Sequence, residues 1–220
     1  MRKIIGGAFV SLDGVMQAPG GPEEDPTGGF SHGGWLTQIF DEGLGNQVDT
    51  LFGQPFDLLL GRRTYEIFAA HWPFVAEDDQ IGAIFRDNRK YVLSRSDDVD
   101  LRWKGSERLE SVEDVARIKD GAGPNLVIQG SSTLYPQLLE RGLVDRLVVM
   151  TAPMLLGHGK RLFGEATPAG RWRLIEHRVT VNGMAMGTYE PAGAIETGSF
   201  AMETPTPEEL ARREKWEAEG

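Results

Sequence analysis

The sequence predicts an α/β protein: a mostly parallel central sheet that ends in an antiparallel hairpin. Two observations carry this expectation. Short apolar runs are followed by a glycine-bearing polar turn and then a helical pattern, as in "DLLLGRRTYEIF" at 57–68 and "NLVIQGSSTLYPQLLERGLVDRLVVMTAP" at 125–153. Repeated strand–helix–strand units lay their strands parallel, with helices covering the faces. Near the end, "RWRLIEHRVTVNGMAMGTYE" reads as two strands about Asn182-Gly183, a dipeptide that accepts the positive φ angles of a tight hairpin.

The elements follow in order. Met1–Val10 holds "IIGGAFV", a short run of strand type. Ser11–Gly34 is dense in glycine and proline and cannot be regular; it reads either as a lid or as a solvated insertion. From Trp35 the apolar residues Leu36, Ile39, Phe40, Leu44, Val48, Leu51 and Phe52 recur near helical spacing, predicting a helix of about 18 residues with Gly43 and Gly45 as weak points. Asp57–Leu60 is a strand, and a helix follows from Thr64 with Tyr65, Ile67 and Phe68. Lys90–Ser96 is a further strand with a polar carboxyl end. Ser111–Asp120 opens with the Ser-x-x-Asp pattern of a capped helix.

Asn125–Gln129 is the next strand and Gly130 its turn. Ser131 or Ser132 caps a helix with Leu134, Leu138 and Leu139 on one face, and Arg146–Thr151 is the strand after it. Residues 1–190 read as one domain and 191–220 as an extension. In the extension we expect a strand at Ala194–Ala201, then a charged helix from Pro207 with Glu208/Arg212 and Glu209/Arg213 four residues apart. It reads as a solvated terminus or as an arm that packs on a partner subunit through Leu210 and Trp216.

Composition narrows the function. The chain has 220 residues, a formal charge of −10 and no cysteine. Disulfides, thiolate metal sites and cysteine nucleophiles are excluded. Nucleic acid is an unsuitable partner for so acidic a chain, since phosphate backbones demand a basic footprint. No apolar stretch approaches the ~18 residues that span a bilayer. The N-terminal apolar run is too short for a signal peptide and soon meets Asp13, so a cytoplasmic location is expected. The histidines at 32, 71, 158 and 177 are scattered, and no metal is expected.

Against this acidity, a few basic turns point to a small anion. Gly61-Arg62-Arg63-Thr64, Ser94-Arg95-Ser96 and Gly130-Ser131-Ser132-Thr133 all follow strands, and the "GKRLF" run at 159–163 adds two more cations. Open α/β sheets bind ligands beyond the carboxyl ends of their strands. Backbone N–H groups at a helix start there favour anions, and arginine adds planar charged donors. Each turn alone also has a plain reading as a cap, a surface charge or a bend. No Gly-x-Gly-x-x-Gly fingerprint, P-loop or Gly-x-Ser-x-Gly elbow is present.

Five segments, "FVSLDGVMQAPGG", "LLLGRRTYEIF", "YVLSRS", "VIQGSSTLYPQLLERGLVDRLVVMTAPMLLGHGKRLF" and "VNGMAMGTYE", together resemble the dihydrofolate reductase-like superfamily. The resemblance is to its bacterial branch related to the C-terminal reductase domain of the riboflavin-pathway deaminase/reductase, and it covers about Ile4–Glu190. It implies a three-layer sandwich, a homodimer, and NADPH laid across the strand ends. On that resemblance Gly61, Arg62, Arg63 and Thr64 match the turn at the cofactor phosphates. Leu93, Ser94 and Arg95 match the segment at the adenosine 2′-phosphate. Gln129, Gly130, Ser131, Ser132 and Thr133 match the turn under the pyrophosphate and nicotinamide.

The expected activity is NADPH-dependent hydride transfer to a C=N or C=O bond of a small heterocyclic, imine or carbonyl substrate. Two alternatives are reduction of a 5-amino-6-ribosylamino-pyrimidine and binding of NADPH without turnover in an oligomeric protein. Folate enzymes hold their substrate with a carboxylate on the first long helix, and Asp41, Glu42 and Asp49 compete for that role here. Asp13, after the first strand, is a second kind of candidate, either orienting substrate or serving as a turn residue. Trp35 either walls the substrate pocket or anchors the helix in the core.

Overall fold

Every strand of the computed structural model, which describes residues 1–201 and 203–219, joins a single sheet. The strands are β1 (Ile4–Ser11), β2 (Phe56–Gly61), β3 (Lys90–Leu93), β4 (Ser106–Leu109), β5 (Asn125–Gln129), β6 (Arg146–Ala152), β7 (Trp172–Val179) and β8 (Ala185–Pro191). In space they run β4-β3-β2-β5-β1-β6-β8-β7. From β4 to β6 every pairing is parallel, and β8 and β7 add an antiparallel edge. The helices are α1 (Glu42–Phe52), α2 (Arg62–Ala69), α3 (Gln80–Arg86), α4 (Val112–Asp120), α5 (Leu134–Glu140) and α6 (Pro207–Glu219). No helix among the described residues is long and apolar enough to cross a membrane.

Alternation along the central strands creates two cores, one on each face. Leu58, Leu60, Val92, Val127, Val148 and Met150 pack with Leu44, Leu51 and Phe52 of α1, Tyr65 of α2 and Phe85 of α3. Leu59, Leu93, Leu126, Ile128 and Leu147 pack with Val115 of α4 and Leu134, Tyr135 and Leu138 of α5. The strands in between are buried on both faces, which is why they read as continuous apolar runs rather than alternating ones. The two glycines of "IIGGAFV" set how closely the helices approach β1. A Cβ on Gly6 would lie 2.7 Å from the Tyr135 ring, and one on Gly7 2.5 Å from Leu51 Cδ2 on the other face.

Several expectations from sequence are redrawn. The helix expected from Trp35 starts at Glu42 instead, because Asp41 is extended and its Oδ1 caps the helix by accepting from Leu44 N–H at 2.9 Å. Only a short 3₁₀ turn, Thr37–Ile39, precedes it. The second helix starts at Arg62, two residues before Thr64. Neither Ser131 nor Ser132 caps α5; Thr133 holds the cap position and makes no side-chain cap bond. The strand from Lys90 ends at Leu93, leaving Ser94–Ser96 as a turn. β4 and α3 were not anticipated. Ala194–Ala201 forms no strand, whereas α6 forms as expected.

Candidate functional site

A cavity of about 870 Å³ lies along the carboxyl edge of the parallel sheet. Because β3, β2 and β5 are neighbours, their three exit turns converge on it. All twelve residues matched to the cofactor line this one space: Gly61, Arg62, Arg63, Thr64, Leu93, Ser94, Arg95, Gln129, Gly130, Ser131, Ser132 and Thr133. Ala8 and Phe9 of β1 continue the floor, and Ile67 and Phe68 of α2 supply an apolar wall.

Two of the turns are locked together by one hydroxyl. Ser131 Oγ accepts from Gly61 N–H at 2.8 Å and donates to Thr64 Oγ1 at 2.8 Å. To reach both, Ser131 adopts φ +63°, a left-handed conformation that non-glycine residues seldom take, directly after Gly130 at φ +77°. Gly61 N–H is therefore committed to protein. No side chain caps α2, so the N–H groups of its first turn, Arg62 to Thr64, stay beside the cavity without a side-chain partner.

The cations divide in the same way. Arg62 bonds Glu66 one helical turn on, at 2.9 Å. Arg63 and Arg95 are exposed at the cavity, and no ion pair to either is formed among the described residues. Gln129 Oε1 is buried and lacks a hydrogen-bond partner, an acceptor that an amide donor would satisfy. Helix-start N–H groups, two uncommitted arginines and an orphaned acceptor form a donor and acceptor set that fits a phosphorylated dinucleotide with a carboxamide.

The Ser11–Gly34 segment is an ordered lid. Gln17 is 4% exposed, and its amide joins the loop to itself and to the chain near Lys160. Its Nε2 donates to Asp25 O at 2.9 Å and Thr27 O at 2.8 Å, and its Oε1 accepts from Lys160 N–H at 2.9 Å. Lys160 forms an ion pair with Asp25 and donates to Thr27 Oγ1 at 2.8 Å. Thus the lysine of the "GKRLF" run, which suggested an anion site, instead straps the lid. Hydrogen bonds from Lys160 and Thr27 outweigh burial and hold the Asp25 carboxyl below its ordinary range.

None of the proposed catalytic carboxylates lines the cavity. Asp13 is a latch: its Oδ1 accepts from Ser11 Oγ at 2.5 Å and Leu156 N–H at 3.1 Å, and its Oδ2 from Gly157 N–H at 2.9 Å. The Ser11 hydroxyl above all, then these N–H groups, lower its pKa to about 2. Asp41 caps α1 and also accepts from Asn182 N–H at 2.9 Å, tying the helix to the terminal hairpin. Bonds from the Thr180 hydroxyl and from Asn182 and Leu44 N–H hold its carboxyl low. Asp49 is exposed on α1. Trp35 is buried, donating from Nε1 to Gln17 O at 2.8 Å, so it anchors the base of the lid.

The carboxyl groups at the lid end of the cavity are Glu24 and Asp25, which sequence reasoning passed over. Glu24 Oε2 accepts from Gly20 N–H at 2.7 Å, and burial pushes its pKa up. "PEEDP" carries no periodicity to single out one acid. Its only signal was its place in a long loop after the first strand.

Comparison with known proteins bears on the family and the fold. Residues 2–186 match the family model described as the RibD C-terminal domain. The protein YyaP of Bacillus subtilis (strain 168) is 24% identical over 195 residues, covering 86% of this chain and 94% of its own. A putative riboflavin biosynthesis protein from Shewanella sp. PV-4 superposes with a TM-score of 0.63 at 20% identity, over 86% of this chain and 99% of that one. Dihydrofolate reductase from Enterococcus faecalis, solved with NADP(H), gives a TM-score of 0.55 at 18% identity, over 86% and 96% of the two chains. The fold is dihydrofolate reductase-like.

Proposed function

The chain belongs to the RibD C-terminal domain family, and from that premise we propose that it is an NADPH-dependent reductase of a C=N or C=O bond in a small heterocyclic substrate. The observation that carries the reading is the pair of uncommitted arginines, Arg63 and Arg95, beside the open first turn of α2 on one cavity. NADPH, when bound, supplies the hydride.

The chain's own residues do the rest. The α2 N–H groups and Arg63 hold the pyrophosphate, and Arg95 holds the 2′-phosphate from the neighbouring strand end. Gln129 Oε1 accepts from the carboxamide and orients the ring. The lid, fastened by Gln17 and Lys160, keeps water from the reacting end. Glu24 stands at that end, its pKa raised by burial, and is the group assigned here to donate a proton to a substrate nitrogen or oxygen. The family match favours a 5-amino-6-ribosylamino-pyrimidine as the finer choice of substrate, and that compound belongs first in the panel.

Fluorescence titration with NADPH and NADH, then NADPH oxidation against the panel, tests the proposal. Arg95→Gln removes an exposed charge-assisted contact worth about 1–2 kcal/mol, roughly 5–30-fold in Kd. The loss should fall on NADPH and spare NADH. Arg63→Gln should weaken both cofactors, and Arg62→Gln should cost less because Glu66 already occupies it. Equal affinities of the Arg95→Gln and parent proteins for both cofactors would refute the 2′-phosphate assignment. Binding without turnover on any substrate would leave a nucleotide-binding protein.

A further inference from the structure

The terminal hairpin and the C-terminal segment expose complementary surfaces. β7 is open to solvent along nearly its whole length, with Leu174, Ile175 and Val179 exposed. It is also the last strand of the sheet, so its outer backbone groups form an unpaired edge, a template for another strand. Residues 194–201, "AIETGSFA", have strand composition yet take no strand, and Ile195 and Phe200 are exposed. Beyond them α6 buries no residue and presents Leu210 and Trp216.

Charge matches shape. Arg171 precedes β7, and within it Arg173 faces Glu190 of β8 at 3.7 Å and Arg178 pairs with Glu176 at 2.8 Å, leaving the hairpin edge basic by one charge, whereas the segment after Gly193 holds seven glutamates against three basic residues. Topology then decides whose tail fits. A strand added antiparallel to β7 runs parallel to β8 with β7 between them, so a chain leaving β8 must first travel back the length of the sheet, a crossover of about a dozen residues. Only Ala192 and Gly193 separate the end of β8 from Ala194. Both are held against β7's entry, Ala192 N–H donating to Arg171 O at 2.8 Å and Arg171 N–H to Gly193 O at 3.0 Å. The chain's own tail therefore cannot reach its own free edge in that sense. A second copy's tail is free of the restriction.

We propose that two copies exchange arms: residues 194–201 of each add an antiparallel strand to β7 of the other, and α6 lies against the exposed hairpin. A stable interface engages about 20–30 residues a side, which the tail and β7 together supply. The contact joins main-chain pairing, apolar cover and opposite charge in one place.

The chain has no cysteine, so cross-linking reads the geometry directly. Glu176→Cys in β7 and Thr197→Cys in the tail are made in separate full-length proteins, which are mixed, allowed to exchange and mildly oxidised. The expected product is a disulfide-linked pair containing one of each. Light scattering should give twice the 24.2 kDa chain mass for the parent and a single chain mass for Ile195→Asp/Phe200→Asp. Circular dichroism should be unchanged in that variant, since both side chains are exposed. A monomeric parent, or a dimer that survives the double substitution, would overturn the proposal. So would cross-linking of Glu176→Cys only to itself, which would mean that two β7 edges pair directly.

Discussion

Replacing Gln17 by alanine should release the lid without unfolding the sheet. The side chain makes three hydrogen bonds of 2.8–2.9 Å, every one to main chain. At about 0.5–1.5 kcal/mol each they sum to roughly 2–4 kcal/mol, and burial prevents water from replacing them freely. That is about 30–1,000-fold in the lid-opening equilibrium. Amide hydrogen exchange reads it: Gly34 N–H, which donates to Ala18 O at 2.8 Å across the loop, should exchange faster by that factor. Amides of β5 and β6 should keep their rates. Gln17→Glu should do worse than alanine, because its carboxylate faces the Asp25 and Thr27 carbonyls that the amide now donates to. Unchanged lid amides in Gln17→Ala would refute the reasoning and assign closure to the Asp25–Lys160 pair and Trp35.

Two further substitutions probe the turns and the core. Gly130→Ala should cost about 1–2 kcal/mol, since a side chain at φ +77° is strained and its Cβ would sit 3.2 Å from Thr64 Cγ2; thermal melts should drop by several degrees and NADPH titration should weaken, and an unaltered protein would show that the turn is free to relax. Lys90 is fully buried over the Trp103 ring at 4.3 Å, and burial lowers its pKa to about 8. With the folded value below the unfolded one of about 10.4, the unfolded chain binds more protons between pH 8 and 10, so this residue makes stability rise with pH there, by at most about 3 kcal/mol. Urea titrations at pH 7.5 and 9.5 should show that rise in the parent and lose it in Lys90→Met, which keeps the stem on Trp103.

The inner parallel strands were legible because they are buried on both faces, and a strand such as Leu58–Leu60 has no other place to go, whereas the half-exposed edge strand β4 was not. The twelve cavity-lining residues at the strand exits were legible because turn chemistry is local: Gly-Arg-Arg-Thr and Gly-Ser-Ser-Thr mark strand exits wherever they stand. What failed depended on distant partners. Gln17 looks like any polar loop residue, and its partner Lys160 lies 143 positions away. Trp35 and Leu36 mimic a helical face, but they pack under the lid, and the real helix start is Asp41, whose cap points forward to Leu44. The carboxylates of Asp13 and Asp41 looked available only because their N–H donors, at Leu156, Gly157 and Asn182, are invisible in a linear string. Ala194–Ala201 has the composition of a strand but pairs with no strand among the described residues.

The place of β1 also bears on how the protein is made. It leaves the ribosome before the other strands of this sheet, yet its neighbours are β5 on one side and β6 on the other. Neither exists until more than a hundred further residues have been added, on the order of ten seconds at ordinary elongation rates. For that time "IIGGAFV" is a nascent, uncharged, strand-prone segment with both edges bare, a template for the same segment on a neighbouring nascent chain. The two glycines that let α1 and α5 close on the finished sheet leave the waiting segment less sticky than an unbroken Val/Ile run. Slow synthesis or crowded polysomes should therefore lower the soluble yield of this chain more than its finished stability would suggest.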